Sequence, residues 1–138
     1  MDYTYTNNIS IEEYLYLRDS VGWKKICAAQ ADAGLKGSAY IIAAQKGDET
    51  IGMARLITDG GHSAFIEDVI VLPEYQRQGI GSIMVRMILE YLKSDLEDGY
   101  WYNVFLVSAK GKEPFYSSLG FIERPNETSG AGMMLLIE

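Results

Sequence analysis

The hexapeptide Gln76-Arg77-Gln78-Gly79-Ile80-Gly81 has the makings of an anion cradle. Glycines at a helix start let the backbone approach a ligand closely. The first turn offers unpaired N–H groups with the positive end of the helix dipole behind them. Such a site suits a phosphate. It is not a nucleotide-triphosphate loop, because no Gly-Lys-Ser/Thr follows, and Gly79-x-Gly81 lacks the third glycine of a dinucleotide fingerprint. Upstream, Glu67 and Asp68 are adjacent carboxylates inside an otherwise apolar segment. Burial in a strand disfavours their charged form, which raises the pKa and suits a general base. Successive side chains point to opposite faces of a strand, so one of the two is expected to address a substrate unless a bulge intervenes. The competing reading is that they hold a loop or a cap by hydrogen bonds.

Two other reactive side chains carry less. His62 is the one histidine and reads as a polar loop residue at a strand entrance. Cys27 is the one cysteine and reads as a small buried apolar residue, with no second histidine or basic cluster to make it an acyl-carrying nucleophile. One cysteine permits no intrachain disulfide and no cysteine-based zinc site, and one histidine excludes the usual histidine-rich metal sites, so no metal is expected.

These residues need a strand, a loop and a helix to position them. Ala64 to Leu72 reads as a strand covered on both faces, ended by Pro73. From Ile80 the period changes, and Ile80, Ile83, Met84, Met87, Ile88, Tyr91 and Leu92 form one helical stripe. Before this unit, Asp2–Thr6 reads as an edge strand, and Ser10-Ile11-Glu12-Glu13 is a capping box that starts a helix carrying Tyr14, Leu17 and Arg18. Val21-Gly22-Trp23 breaks that helix. A second helix is expected through about Ala33, closed by Gly34. Ser38–Gln45 and Thr50–Thr58 are strands joined by a Lys46–Glu49 turn, and Asp59–His62 leads into the central strand. After the long helix come a strand at Tyr100–Ser108, a short helix at Glu113–Leu119 ended by Gly120, a short strand at Phe121–Ile122 and a closing strand at Met133–Ile137. The result is an α/β chain with a mixed sheet, in which the strands flanking the long helix are parallel neighbours.

With 138 residues the chain is expected to be one domain, 1–138, with a substantial core. Its 48% hydrophobic and 22% charged residues are those of a soluble globular protein, and no apolar run reaches membrane-spanning length, so a cytoplasmic protein is expected. The net charge of −7 argues against nucleic acid and for a cationic or neutral acceptor. A polyanionic cofactor would then need a local basic patch, for which Arg77, Lys110 and Lys112 are the candidates.

Two motifs give a family resemblance. The pattern V-x-V-x-P-x-x-Q-x-x-G-x-G from Val69 to Gly81 resembles the acyl-coenzyme A signature of the GNAT superfamily of N-acetyltransferases, and Phe115-Tyr116-Ser117-Ser118-Leu119-Gly120-Phe121 resembles that family's FYxxxGF segment. The resemblance implies a GNAT fold: a central, mostly antiparallel sheet with one splayed parallel pair, flanked by helices. It also implies transfer of acetyl from acetyl-coenzyme A, a co-substrate, to a primary amine of a small molecule or peptide. Backbone groups of Val69, Ile70 and Val71 would bond the pantetheine arm like an added strand, and the N–H groups of Gln76, Arg77, Gln78, Gly79, Ile80, Gly81 and Ser82 would cradle the pyrophosphate. Tyr116 would protonate the departing thiolate, with Glu67 or Asp68 as base. Trp23, with Tyr16 and Cys27, would line the acceptor pocket from the first helix pair. The asparagine often found seven residues before the tyrosine is Ala109 here, which leaves Ser108 or a backbone group to replace its contact. A coenzyme A-binding sensor without turnover is the alternative function, and a homodimer stays open.

Overall fold

A computed structural model describes residues 2–138, and Met1 lies outside the described residues. By its internal contacts the chain divides into two compact units, Met1–Leu106 and Val107–Glu138.

The first unit holds a five-stranded sheet in the order β1-β2-β3-β4-β5. Its strands are β1 (Thr4–Thr6), β2 (Tyr40–Lys46), β3 (Glu49–Thr58), β4 (Ser63–Val71) and β5 (Asn103–Phe105). The first four are antiparallel neighbours and β4–β5 is the parallel pair, so the mixed sheet and the edge position of β1 are as the sequence predicts. Helices α1 (Ile11–Ser20) and α2 (Ala28–Lys36) lie between β1 and β2 in the chain, and α3 (Ile80–Ser94) makes the crossover from β4 to β5. Ser10 caps α1 reciprocally: Glu13 N–H donates to Ser10 Oγ at 3.0 Å and Ser10 N–H to Glu13 Oε1 at 2.8 Å. Glu13 also accepts from the Thr50 hydroxyl of β3, and this bond leads the causes that lower its carboxyl pKa. One carboxylate thus closes a helix end and ties that end to the sheet.

The core is apolar and close-packed around β3, with Ile51, Met53, Ala54 and Leu56 all buried. From α3 it receives Ile80, Met84, Val85, Ile88 and Leu92. The helical stripe is narrower than its apolar residues suggest. Ile83 is exposed and Met87 and Tyr91 are half-buried, lining an open groove with Tyr40, whose ring stacks on Tyr91 at 4.4 Å.

Several boundaries differ from the sequence reading. Helix α2 runs past Gly34 to Lys36 and is capped by Gly37. A Cβ on Gly34 would make ordinary contact with the Arg55 guanidinium at 3.8 Å, and the Gly34 carbonyl accepts from Arg55 Nη1 at 3.3 Å. Strand β4 is packed tightly on one face only, since Ala64, Ile66, Asp68 and Ile70 are buried while Glu67, Val69 and Val71 are half-buried. Of Tyr100–Ser108, only Asn103–Phe105 pairs as a strand. Cys27 is exposed at the start of α2 rather than buried.

In the second unit, α4 spans Glu113–Ser118 and Gly120 takes the left-handed conformation at φ 99°, as its place after a helix predicts. Arg124 Nε donates to Gly130 O at 2.7 Å and closes a turn. The strands expected at Phe121–Ile122 and Met133–Ile137 are not formed, and Ile122 and Met133–Ile137 are exposed. An apolar run shows what a segment would bury; it does not supply the partner strand.

Among the described residues no helix is long and apolar enough to cross a membrane. Among the same residues, no group of three or more His, Cys, Asp or Glu side chains is placed to hold a metal ion.

Candidate active site

The site begins where two parallel strands part. Strands β4 and β5 share three register pairs, Ser63–Asn103, Ala64–Val104 and Phe65–Phe105, and Asn103 N–H donates to His62 O at 2.7 Å. The Phe65 and Phe105 rings stack at 5.2 Å at the last pair. From Ile66 to Val71, β3 is the one strand paired with β4 among the described residues. No strand of the sheet pairs with its other edge there.

A bulge accounts for the divergence. The β3–β4 register runs Met53–Ile70 and then Arg55–Glu67, so Ala54 faces both Asp68 and Val69. Asp68 carries the irregularity at φ 51°, a left-handed conformation that Asp tolerates better than most residues. A bulge bends its strand and increases the local twist, which turns the end of β4 away from β5. Gly52 lets the bent strand and α3 close up behind it: a Cβ there would lie 2.9 Å from Ile70 O and 3.3 Å from Met84 Cε.

The bulge is held by charge. Buried Asp68 accepts from Arg18 Nη1 at 2.7 Å, from Arg55 Nε at 2.7 Å and from the Tyr14 hydroxyl at 2.5 Å. Arg18 and Tyr14 come from α1, and Arg55 from β3 reaches Gly34 and Ser38 beside α2, so one carboxylate pins two helices to the sheet. Burial, then the bond to Asp68, pushes the Tyr14 phenol up to about 12. Trp23 packs on this node, with the Arg18 guanidinium 5.6 Å from its ring centre. Tyr16 points to solvent instead.

Glu67 sits beside the node and differs from it in kind. It is half-buried, and burial, then the neighbouring Asp68 charge, raises its carboxyl pKa, against the lowering effect of Arg55 and Arg18. A raised folded-state pKa means that the ionised group costs stability at neutral pH. That cost is absent below the unfolded carboxyl value and grows as pH rises through the folded one. Glu67→Gln is therefore expected to unfold at higher denaturant than the parent at pH 8, by less than about 1 kcal/mol, with no gain near pH 4. The same variant should lose most of its turnover if Glu67 is the base. A variant less stable at pH 8 would show that the carboxylate is held by its neighbours rather than penalised.

Past Val71 the chain makes one 3₁₀ turn at Pro73–Tyr75 and enters the Gln76–Ser82 loop. Gln76 Nε2 donates back to Val71 O at 2.9 Å, which ties the loop to the strand end, and the Tyr3 hydroxyl donates to Gln78 Oε1. Arg77 at φ 64° and Gly79 at φ 84° turn the backbone into α3. Gly79 occupies the cap position with no side-chain cap bond, so the first-turn N–H groups of Ile80, Gly81 and Ser82 receive no side-chain acceptor from that residue.

Of the residues singled out by sequence, the first unit brings Glu67, Asp68, Val69, Ile70, Val71 and Gln76–Ser82 onto one continuous strand, turn and helix start. Trp23 joins them through Arg18. His62 stacks on Trp101 at 5.0 Å, beside the paired end of β4. In the second unit, Tyr116 lies on α4 with its ring edge-on to Phe115 at 4.9 Å and to Phe121 at 6.0 Å. Burial pushes its phenol up to about 12, so it stays protonated at neutral pH. Lys110 and Lys112 are exposed in the same unit. Arg18, Arg55, Tyr14 and Gly52 escape sequence reasoning. Their one signal is an arginine within an apolar strand, Arg55, which demands a buried acid.

The profile of the acetyltransferase (GNAT) family matches residues 6–121. An uncharacterized N-acetyltransferase, ycf52, of Porphyra purpurea is 33% identical over 129 residues, covering 91% of this chain and 72% of the relative. A structure from methicillin-resistant Staphylococcus aureus, described as a probable acetyltransferase, superposes with a TM-score of 0.86 at 29% identity, covering 99% of this chain and all of that one. A GNAT family acetyltransferase of Streptococcus pneumoniae gives a TM-score of 0.78 at 32% identity, covering 99% and 97% of the two chains.

Proposed function

The chain belongs to the acetyltransferase (GNAT) family, and we propose that it moves acetyl from acetyl-coenzyme A to a primary amine of a small cationic acceptor by direct attack in a ternary complex. The observation that carries this reading is the edge of β4 that no strand pairs from Ile66 to Val71, continuous with the uncapped start of α3. A ligand with a long amide-bearing arm and a pyrophosphate fits that pair of features: the arm bonds to Val69–Val71 as an added strand, and the pyrophosphate takes the N–H groups of Gln76–Ser82. Arg77 adds a positive charge on the same loop.

Glu67, with its raised pKa, takes a proton from the acceptor ammonium, directly or through one water. The amine nitrogen then bonds to the thioester carbon and the carbon–sulfur bond breaks. The adduct nitrogen gives up its proton to water, and Tyr116, hydrogen-bonded to the departing sulfur, relays a proton from water to it. Asp68, already engaged by three donors, holds the bulge that presents Glu67 and acts as a positioning residue.

Release of free thiol from acetyl-coenzyme A across a panel of amines, aminosugars, polyamines and peptides tests the proposal. Tight coenzyme A binding with no thiol released on any amine would favour a sensor without turnover. Binding itself is expected at the cradle: Gly81→Val should raise the coenzyme A dissociation constant about tenfold or more with the fold intact. Unchanged affinity by calorimetry would move the phosphate site elsewhere.

A further inference from the structure

Among the described residues, Asp68 and Arg77 are the two that hold a left-handed backbone without being glycine. Such a conformation is unfavourable for a residue with a Cβ and persists where its surroundings impose it. At Asp68 the buried arginines do so. Arg77 is exposed, at φ 64°, so its conformation has to be imposed through the residues on either side of it.

Those residues are tied to other elements. Ahead of Arg77, Gln76 Nε2 donates to Val71 O at 2.9 Å. The turn before it is held from the β2–β3 connection, where the Tyr75 hydroxyl donates to Glu49 Oε1 at 3.2 Å and Lys46 Nζ stands 5.4 Å from the Tyr75 ring centre. Strand β1 pairs Thr4 with Gln45, which brings Tyr3 level with Lys46 at the same end of the sheet. The Tyr3 ring meets Tyr75 edge-on at 6.3 Å, and its hydroxyl donates to Gln78 Oε1. One side chain from the start of the chain thus touches the loop on both sides of Arg77.

We infer that Tyr3, through the Gln78 carboxamide, is a positioning residue that holds the Gln76–Ser82 loop in the conformation its ligand takes. A loop already in its bound shape spends no binding energy on ordering itself. Without the Tyr3 bond the backbone at Arg77 relaxes out of the left-handed region, and binding has to restore it. The inference rests on the acetyl-coenzyme A reading above for its ligand and on the loop alone for its mechanics.

Coenzyme A is titrated by calorimetry into the parent, Tyr3→Phe, Gln78→Ala and the double variant. Phenylalanine keeps the ring against Tyr75 and removes only the hydroxyl. Each single variant should raise the dissociation constant about fivefold, and the double variant no further, because all three lack the same bond. A tie that serves stability alone would lower the melting temperature and leave the dissociation constant as it was. Hydrogen exchange on the unliganded protein is the second measurement. The Tyr75 and Ile83 amides, bonded to Leu72 O at 2.9 Å and Gly79 O at 3.1 Å, mark the two ends of the loop and should exchange about threefold faster or more in Tyr3→Phe. Failure of the parent to bind coenzyme A would remove the cofactor reading, and the exchange rates would still decide the positioning role. Parental affinity in Tyr3→Phe, additive losses in the double variant, or parental exchange at both amides would each overturn the inference.

Discussion

Tyr116→Phe is expected to lower kcat by about 10² or more while leaving coenzyme A affinity nearly unchanged. Attack by a neutral amine on a thioester gives a zwitterionic tetrahedral species, whose collapse expels a thiolate. The Tyr116 phenol, pushed up to about 12, is a weaker acid than a thiol, whose pKa is near 8.5, so complete proton transfer ahead of bond breaking is uphill. In the proposed role its help would come as a hydrogen bond that strengthens while charge develops on sulfur, an interaction of the transition state. Thiolate is already a fair leaving group, which keeps the loss below that of removing an indispensable nucleophile. Phenylalanine preserves the edge-on ring contacts with Phe115 and Phe121, so the comparison isolates the hydroxyl. Single-turnover kinetics beside a coenzyme A titration would read both quantities. A parental kcat in the Phe variant would leave Tyr116 a packing residue and assign the proton to water.

Asp68→Ala should cost about 3–5 kcal/mol of stability, because it leaves the Arg18 and Arg55 guanidiniums buried without their counter-charge. The side chains of both arginines are about 15% exposed and that of Asp68 is 4% exposed, so water replaces the lost partner poorly. The buried Tyr14 hydroxyl loses its acceptor as well. For a chain of this length the change corresponds to a melting point lower by roughly 10–20 °C. Asp68→Asn keeps an acceptor oxygen and a residue that accepts φ 51°, and is expected to fall between the two. Measured below its own melting temperature, the Asn variant should keep most of its turnover, which separates a positioning role from that of a base. An Ala variant that melts within a degree or two of the parent would mean that the two arginines regain water at little cost.

The two carboxylates illustrate how adjacent residues of similar chemistry come to differ. Glu67 and Asp68 are equivalent as a sequence, and alternation along a strand predicts that they part company without saying which does what. The bulge, the αL backbone at Asp68 and the arrival of Arg18 from a helix fifty residues earlier decide it. Asp68 is spent on three donors, and Glu67 is left beside the edge that no strand pairs, with a raised pKa.

Local sequence determined the elements whose signals are local. The capping box at Ser10, the change of period at Ile80, the turn at Gly47 and the left-handed Gly120 are all visible in a few residues, because caps, periodicity and positive φ depend on neighbours in the chain. The turn that leads into α3 through Arg77 and Gly79 was legible for the same reason. Tertiary structure alone decided the rest. Gly34 reads as a helix stop, yet α2 runs through it to Lys36 and its carbonyl accepts from Arg55, a residue of another element. Tyr100–Ser108 has the composition of a long strand, but only three residues pair, because β4 bends away after Phe65. Met133–Ile137 has the composition of a buried strand, and among the described residues it forms none. Pairing, ion-pair networks and strand divergence depend on residues far apart in sequence, and propensity holds no information about which partner arrives.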